Sequence, residues 1–286
     1  MTDSVSRFSI PREGYLPLAV TGVAFIAVFY PAFVWMSARF LEENSNYSHG
    51  FLIPFVVAWL IYQKRPEISL LPVSPSWYGF PLLLAALALH ILGGVMLHIG
   101  ILSGFAVMIA LFGLALCLFG AGITRIITVP LLMILFMIPL PQIFLVGVMF
   151  RMKMFAAFVA AKIVGAMHIP LERAGSMIYL PNGTLTVGNE CSGINSLISL
   201  ITLSVIFAYV ARGSVVKKFA FIAFSVPVAL AANICRIVFL IIAAYVYGVA
   251  AATESALHYG AGITLWIVAL ALLAFIWRAL VWQPRH

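Results

Sequence analysis

Asn189-Glu190-Cys191-Ser192-Gly193-Ile194 ends a polar, turn-rich segment and opens an apolar run that reaches Ala211. Just upstream lies the only β-like signal of the chain: Ser176 to Leu180, then Pro181-Asn182-Gly183, then Thr184 to Val187. Asn-Gly between β-prone runs signals a hairpin turn. The stretch therefore joins a short hairpin to an apolar helix. What surrounds that helix decides the fold.

Of 286 residues, 64% are hydrophobic and 8% are charged. Soluble domains carry about 25% charged residues, so this chain cannot cover itself with polar surface in water. The reading is all-α: one polytopic membrane helical bundle of about eight spans, each needing about 20 apolar residues, with residues 1–286 forming a single integral membrane domain. Arg7 and Arg12 precede the first apolar run, but that run is too long for a signal-peptide core, so no cleavable leader is expected. The net charge of +8 does not point to nucleic acid. The basic residues are scattered at helix ends, where they orient spans and meet anionic membrane lipid. Three cysteines without CxxC or CxxCH spacing argue against a disulfide framework, a zinc site and haem attachment. No metal or cofactor is expected. Cys117 and Cys235 read as small buried hydrophobes, whereas Cys191 has polar neighbours.

The expected spans are Leu16 to Met36, Tyr47 to Tyr62, Tyr78 to Leu97, Gly104 to Gly120, and Ile126 to Phe150 with an interruption at Pro139-Leu140-Pro141. Arg151 to His168 reads as a helix lying at the membrane interface, with a buried span as the alternative. The last three spans are Ile194 to Ala211, Phe219 to Phe239 and Ile263 to Leu280. The positive-inside tendency gathers Arg7, Arg12, Lys64, Arg65, Arg125, Arg212, Lys217, Lys218, Arg278 and Arg285 on one side, which puts both termini in the cytoplasm.

On that topology three polar residues share a depth. Cys191 starts a helix that ends at the cytoplasmic Arg212. Lys218 to Arg236 is about 27 Å of helix, nearly a hydrocarbon core of about 30 Å. His258 starts a helix that returns to Arg278. All three therefore lie near the outer face. A helix N-terminus and a nearby cation both favour a thiolate, which can attack a carbonyl. Arg236 and the backbone N–H groups of Gly193 and Ile194 are candidate oxyanion donors. His258 is placed to protonate the leaving amine and then to activate the incoming nucleophile. His49, in Tyr47-Ser48-His49-Gly50, also falls near the outer face and is a candidate supporting residue or alternative base. Asn233, Ser192 and Gly193 are further supporting candidates, Gly193 because it leaves room for substrate backbone. Each residue also has a plain structural reading: an inert interfacial cysteine, a snorkelling arginine, a capped histidine.

The motifs Asn189-Glu190-Cys191-Ser192-Gly193-Ile194, Asn233-Ile234-Cys235-Arg236 and His258 together resemble the signatures of the exosortase/archaeosortase family. Tyr47-Ser48-His49-Gly50-Phe51-Leu52-Ile53-Pro54 and Phe136-Met137-Ile138-Pro139-Leu140-Pro141 resemble its earlier ones. The resemblance covers about residues 40 to 280. It implies a multi-pass cysteine transpeptidase of the bacterial inner membrane, active toward the exterior, with Cys191, Arg236 and His258 as catalytic residues. Implied partners are exported proteins ending in a sorting signal: a short motif of the Pro-Glu-Pro kind, a transmembrane helix and a basic tail. Transfer to an outer-surface acceptor through a thioester would follow. Some relatives carry an added C-terminal domain. This chain ends at His286, so the fused subtype is not expected. Two other functions share these residues: an intramembrane cysteine protease using water, and a non-enzymatic transporter or lipid-binding protein.

Overall fold

The computed structural model describes residues 12–42, 45–188, 192–254 and 256–280. The chain packs as two compact units, Met1–Pro141 and Gln142–His286. Among the described residues, five helices are long and apolar enough to cross a membrane, and three shorter apolar helices accompany them. The protein is thus a polytopic helical membrane protein with one small sheet. About eight spans are expected from the sequence; the described residues give five helices of spanning length plus three shorter ones, and the chain is partitioned differently.

In the first unit, α1 (Arg12–Leu41), α4 (Gly79–Leu89) and α5 (Gly100–Leu132) share a core of Phe29, Ala32, Ala86, Ala106, Val107 and Ala110. Helices in lipid gain no hydrophobic drive from pairing, so small residues that let backbones approach carry the contact. Gly79 shows this. A Cβ there would run into the Gly113 carbonyl and would lie 2.6 Å from Cys117 Sγ. Between α1 and α4 lie α2 (Ile53–Gln63) and the four-residue α3 (Arg65–Ile68). A π-helical turn, His90–Met96, extends α4. It presents the buried His90 to Ser103 of α5, Nδ1 to Oγ at 2.9 Å, a polar pairing of the kind that holds helices together in lipid.

The span end expected near Gly120 falls at a kink, where the backbone leaves helical geometry, but the helix resumes at once through Arg125. The helix runs from Gly100 through Leu132 and continues as a 3₁₀ turn to Met137, bent at Gly120. The bend has a cause outside the helix. The Ser74 and Ser76 N–H groups donate to the Phe119 and Leu116 carbonyls at 3.3 and 3.1 Å. Gly120 sits at φ 83°, with the Ser74 carbonyl where a Cβ would be. The true stop is at Pro139. Ile138 is extended, φ −79° and ψ 114°, as a residue before proline prefers.

In the second unit, α6 (Gln142–Ala166) runs unbroken through Arg151. The separate interfacial helix from Arg151 to His168 is therefore corrected to the C-terminal part of one long apolar helix that starts at Gln142. The sheet has three antiparallel strands, one more than the hairpin expected: β1 (Glu172–Ala174), β2 (Met177–Leu180) and β3 (Gly183–Thr186). Leu180 pairs with Gly183, so the two turn residues are Pro181 and Asn182. Asn182 Nδ2 donates to the Ala244 and Tyr245 carbonyls at 2.9 and 3.0 Å. It thereby ties the turn to the last turn of α8 (Val215–Tyr247), where the Ala244 carbonyl also accepts the Gly248 N–H. Ile178, Leu180, Leu185 and Val187 of the sheet segment pack with Ala156, Ala160 and Val164 of α6 and with Ile237, Ile241 and Ala244 of α8. A second cluster joins α8 to α7 (Ile194–Val210) and α10 (Ala256–Leu280) through Leu200, Phe221, Ala229, Ala269 and Leu273. The six-residue α9 (Val249–Glu254) links α8 to α10.

Candidate active site

The start of α7 is fixed by a close approach. Gly193 caps the helix at φ 78°, and its carbonyl accepts from the Leu197 N–H at 2.9 Å. Ser192 is 1% exposed, with its Oγ 3.5 Å from the Ile194 N–H that donates to it. A Cβ on Gly193 would lie 2.8 Å from Asn233 Cγ and 2.9 Å from its Nδ2. The beginning of α7 therefore rests on Asn233, itself 3% exposed.

Asn233 and Arg236 stand three residues apart on α8 and so share a face. Both line a cavity of about 30 Å³, room for a water molecule beside polar partners. Its other walls are Ser196 and Leu200 of α7 and Gly262, Trp266 and Ala269 of α10. Arg236 is half-buried and lies well inside α8, which runs on to Tyr247. The sequence reading ended that span near Phe239. Ser196 and Trp266 were not singled out, although Ser196 follows Ser192 by four residues and so continues the motif along α7.

Asn189, Glu190 and Cys191 lie outside the described residues. His258 falls in the first turn of α10, four positions before Gly262; its side chain also lies outside them. Cys117 is half-buried against Gly79 as expected, but Cys235 is exposed. One residue's rotation from Arg236 turns it outward, so it is not a buried hydrophobe.

His49 belongs to the first unit. Ser48–Phe51 is a 3₁₀ turn, and its neighbourhood joins two stretches that lie far apart in sequence. The His49 imidazole is hydrogen-bonded to the Phe136 carbonyl. The Leu140 N–H donates to Tyr47 Oη at 3.1 Å. The motif at 47–50 is thus clasped to the break at Pro139. Burial pushes His49 below the usual histidine range, opposed by the Phe136 carbonyl. Because burial leaves the unfolded chain binding that proton more readily, the folded state keeps its full stability above about pH 6.5 and loses it as pH falls toward the depressed folded value. The thermal midpoint of the purified protein is expected to drop between about pH 7.5 and 5.5. His49→Gln, which does not titrate and keeps a donor for Phe136, should lose less over that interval. Parallel losses would remove His49 as the source.

Among the described residues no cluster of three or more histidine, cysteine or acidic side chains could hold a metal ion. The family model described as transmembrane exosortase matches residues 35–275. That match takes in the motif at 47–50, the Pro139 break, both units and the cavity-lining helices. No curated protein matches the chain. No solved structure does either.

Proposed function

The chain belongs to the transmembrane exosortase family, and on that premise we propose that Cys191 is the nucleophile of a sorting transpeptidase acting on exported proteins. Its thiolate attacks the carbonyl carbon beside the recognised motif of a C-terminal sorting signal. Arg236 stabilises the oxyanion. The amine leaves with a proton from His258, a thioester forms, and an acceptor nucleophile that has given its proton to His258 displaces the cysteine. Asn233 and Gly193 set the approach of α7 to α8, and Ser192 closes that approach from inside. The two units act as a single domain, a reading supported by the family match across both.

The observation that carries this reading is that the elements bearing the three motifs share one cavity. Cys191 is two peptide links from Gly193, a reach of about 7 Å, and Gly193 rests on Asn233. Asn233 and Arg236 line the cavity, as do Gly262 and Trp266. Position 258 lies on that same stripe of α10, four residues before Gly262. Family membership supports the sorting-signal type and the bacterial inner membrane as parts of this reading, and the charge distribution supports an outward-facing site and cytoplasmic termini.

The test is co-expression with a tagged exported protein that ends in motif, span and basic tail, followed by mass spectrometry of its new C-terminus. An added mass identifies the acceptor and supports transfer. A free acid means hydrolysis with water as acceptor. An uncut substrate overturns the reading. In the same assay Arg236→Lys is expected to lose at least about tenfold, because an ammonium cannot reproduce the planar fork of N–H donors. Near-normal processing would reduce Arg236 to an anchoring role.

A further inference from the structure

We propose that the groove at the C-terminal end of α6 is a binding site for the phosphate headgroup of an anionic membrane lipid. Two cations from different elements converge there. Lys162 Nζ lies 5.9 Å from the centroid of the Phe158 ring. The Arg173 guanidinium lies 5.4 Å from the same centroid. Between them is an open cavity of about 510 Å³, lined also by Ala161, Gly165 and Leu171.

The arginine is positioned rather than loose. Arg173 Nη1 donates to the Gly175 carbonyl at 2.6 Å, which uses one of five guanidinium N–H donors and leaves others for an anion. Neither cation takes part in an ion pair among the described residues; the two ion pairs found there are Arg39 with Glu42 and Lys64 with Glu67. Glu172 adjoins Arg173 on β1 but is exposed, and successive strand residues point to opposite faces of the sheet. Among the described residues, the groove therefore holds two positive charges with no ion-paired carboxylate.

The occupant is argued from the order of side chains along α6. Lys162, Phe158 and Phe155 follow one another at helical spacing away from the helix end. Phe158 and Phe155 are 45% and 50% exposed, on a helix long and apolar enough to cross a membrane. The polar sheet segment begins where α6 ends. A charged head against Lys162 and Arg173 with an acyl chain along the two phenylalanines matches that order. A small soluble anion would leave the aromatic stripe unused.

The experiment uses the full chain in nanodiscs, with spin-labelled phosphatidylglycerol and phosphatidylcholine as probes and the motionally restricted fraction as the readout. Wild type is expected to prefer phosphatidylglycerol. The preference should fall about fivefold for each cation removed, in Lys162→Gln and further in Lys162→Gln with Arg173→Gln. The single variant leaves the Gly175 contact intact, so a folding defect in the double variant does not decide the outcome. Arg151→Gln, an exposed cation on the same helix outside the groove, should leave the preference unchanged. An unaltered preference in Lys162→Gln, or an equal loss in Arg151→Gln, overturns the site. Displacement by inorganic phosphate beyond that by chloride at equal ionic strength would overturn the lipid assignment in favour of a free anion. The readout does not involve peptide processing and stands apart from the proposed transfer reaction.

Discussion

Cys191→Ala is expected to abolish processing of a tagged sorting-signal substrate, while Cys117→Ala and Cys235→Ala keep most of it. Alanine offers no nucleophile, and removing the nucleophile of a covalent mechanism costs on the order of 10⁴–10⁶ in rate, beyond the range of an immunoblot. The other two thiols are the matched controls because their surroundings differ in kind. Cys117 is wedged beside Gly79 between two helices of the first unit, where alanine keeps most of the contact and costs about 1 kcal/mol. Cys235 is exposed on α8. Substrate cleaved at the wild-type rate by Cys191→Ala would end the cysteine mechanism. Loss in all three variants would point to a folding effect, which the amount of membrane-inserted chain separates.

Gly193→Ala is the second large effect. A non-glycine residue at φ 78° is held in the left-handed region at roughly 1–2 kcal/mol. Its Cβ would also lie 2.8 Å from Asn233 Cγ, and Asn233 is packed too tightly to retreat. Either the first turn of α7 withdraws or Asn233 leaves its place, and both shift the chain that carries Cys191. A misplacement of about 1 Å costs on the order of a hundredfold in a positioned reaction. We expect at least a tenfold loss of processing with normal membrane insertion and a thermal midpoint lowered by only a few degrees. Unchanged processing would show that the close approach of α7 to Asn233 has no part in the site.

Much of the architecture was readable because lipid imposes a coarse rule: long apolar runs must be helices. The hairpin signal at Pro181-Asn182-Gly183 and the helix break at Pro139 were local and were found. What escaped was set by distant partners. The span end expected near Gly120 is a kink and not a stop: the backbone leaves helical geometry there beside a loop that hydrogen-bonds from Ser74 and Ser76, and α5 resumes through Arg125. β1 carries no alternating pattern of its own and exists through its pairing with β2. At the site, the motif at 233–236 supplies Asn233 and Arg236, both of which line the cavity. Trp266 joins them only through packing, whereas Ser196 could have been found from its four-residue spacing after Ser192. Tyr47 and His49 were legible as a motif, but their tie to Phe136 and Leu140 spans about ninety residues and needed coordinates.

The polar connection that precedes α7 is anchored at both ends within the second unit. Val187 donates its N–H to the Ser176 carbonyl at 2.9 Å, and Gly193 is seated on Asn233. Only five positions separate these posts, so an insertion or deletion between Val187 and Gly193 would have to strain one post or the other.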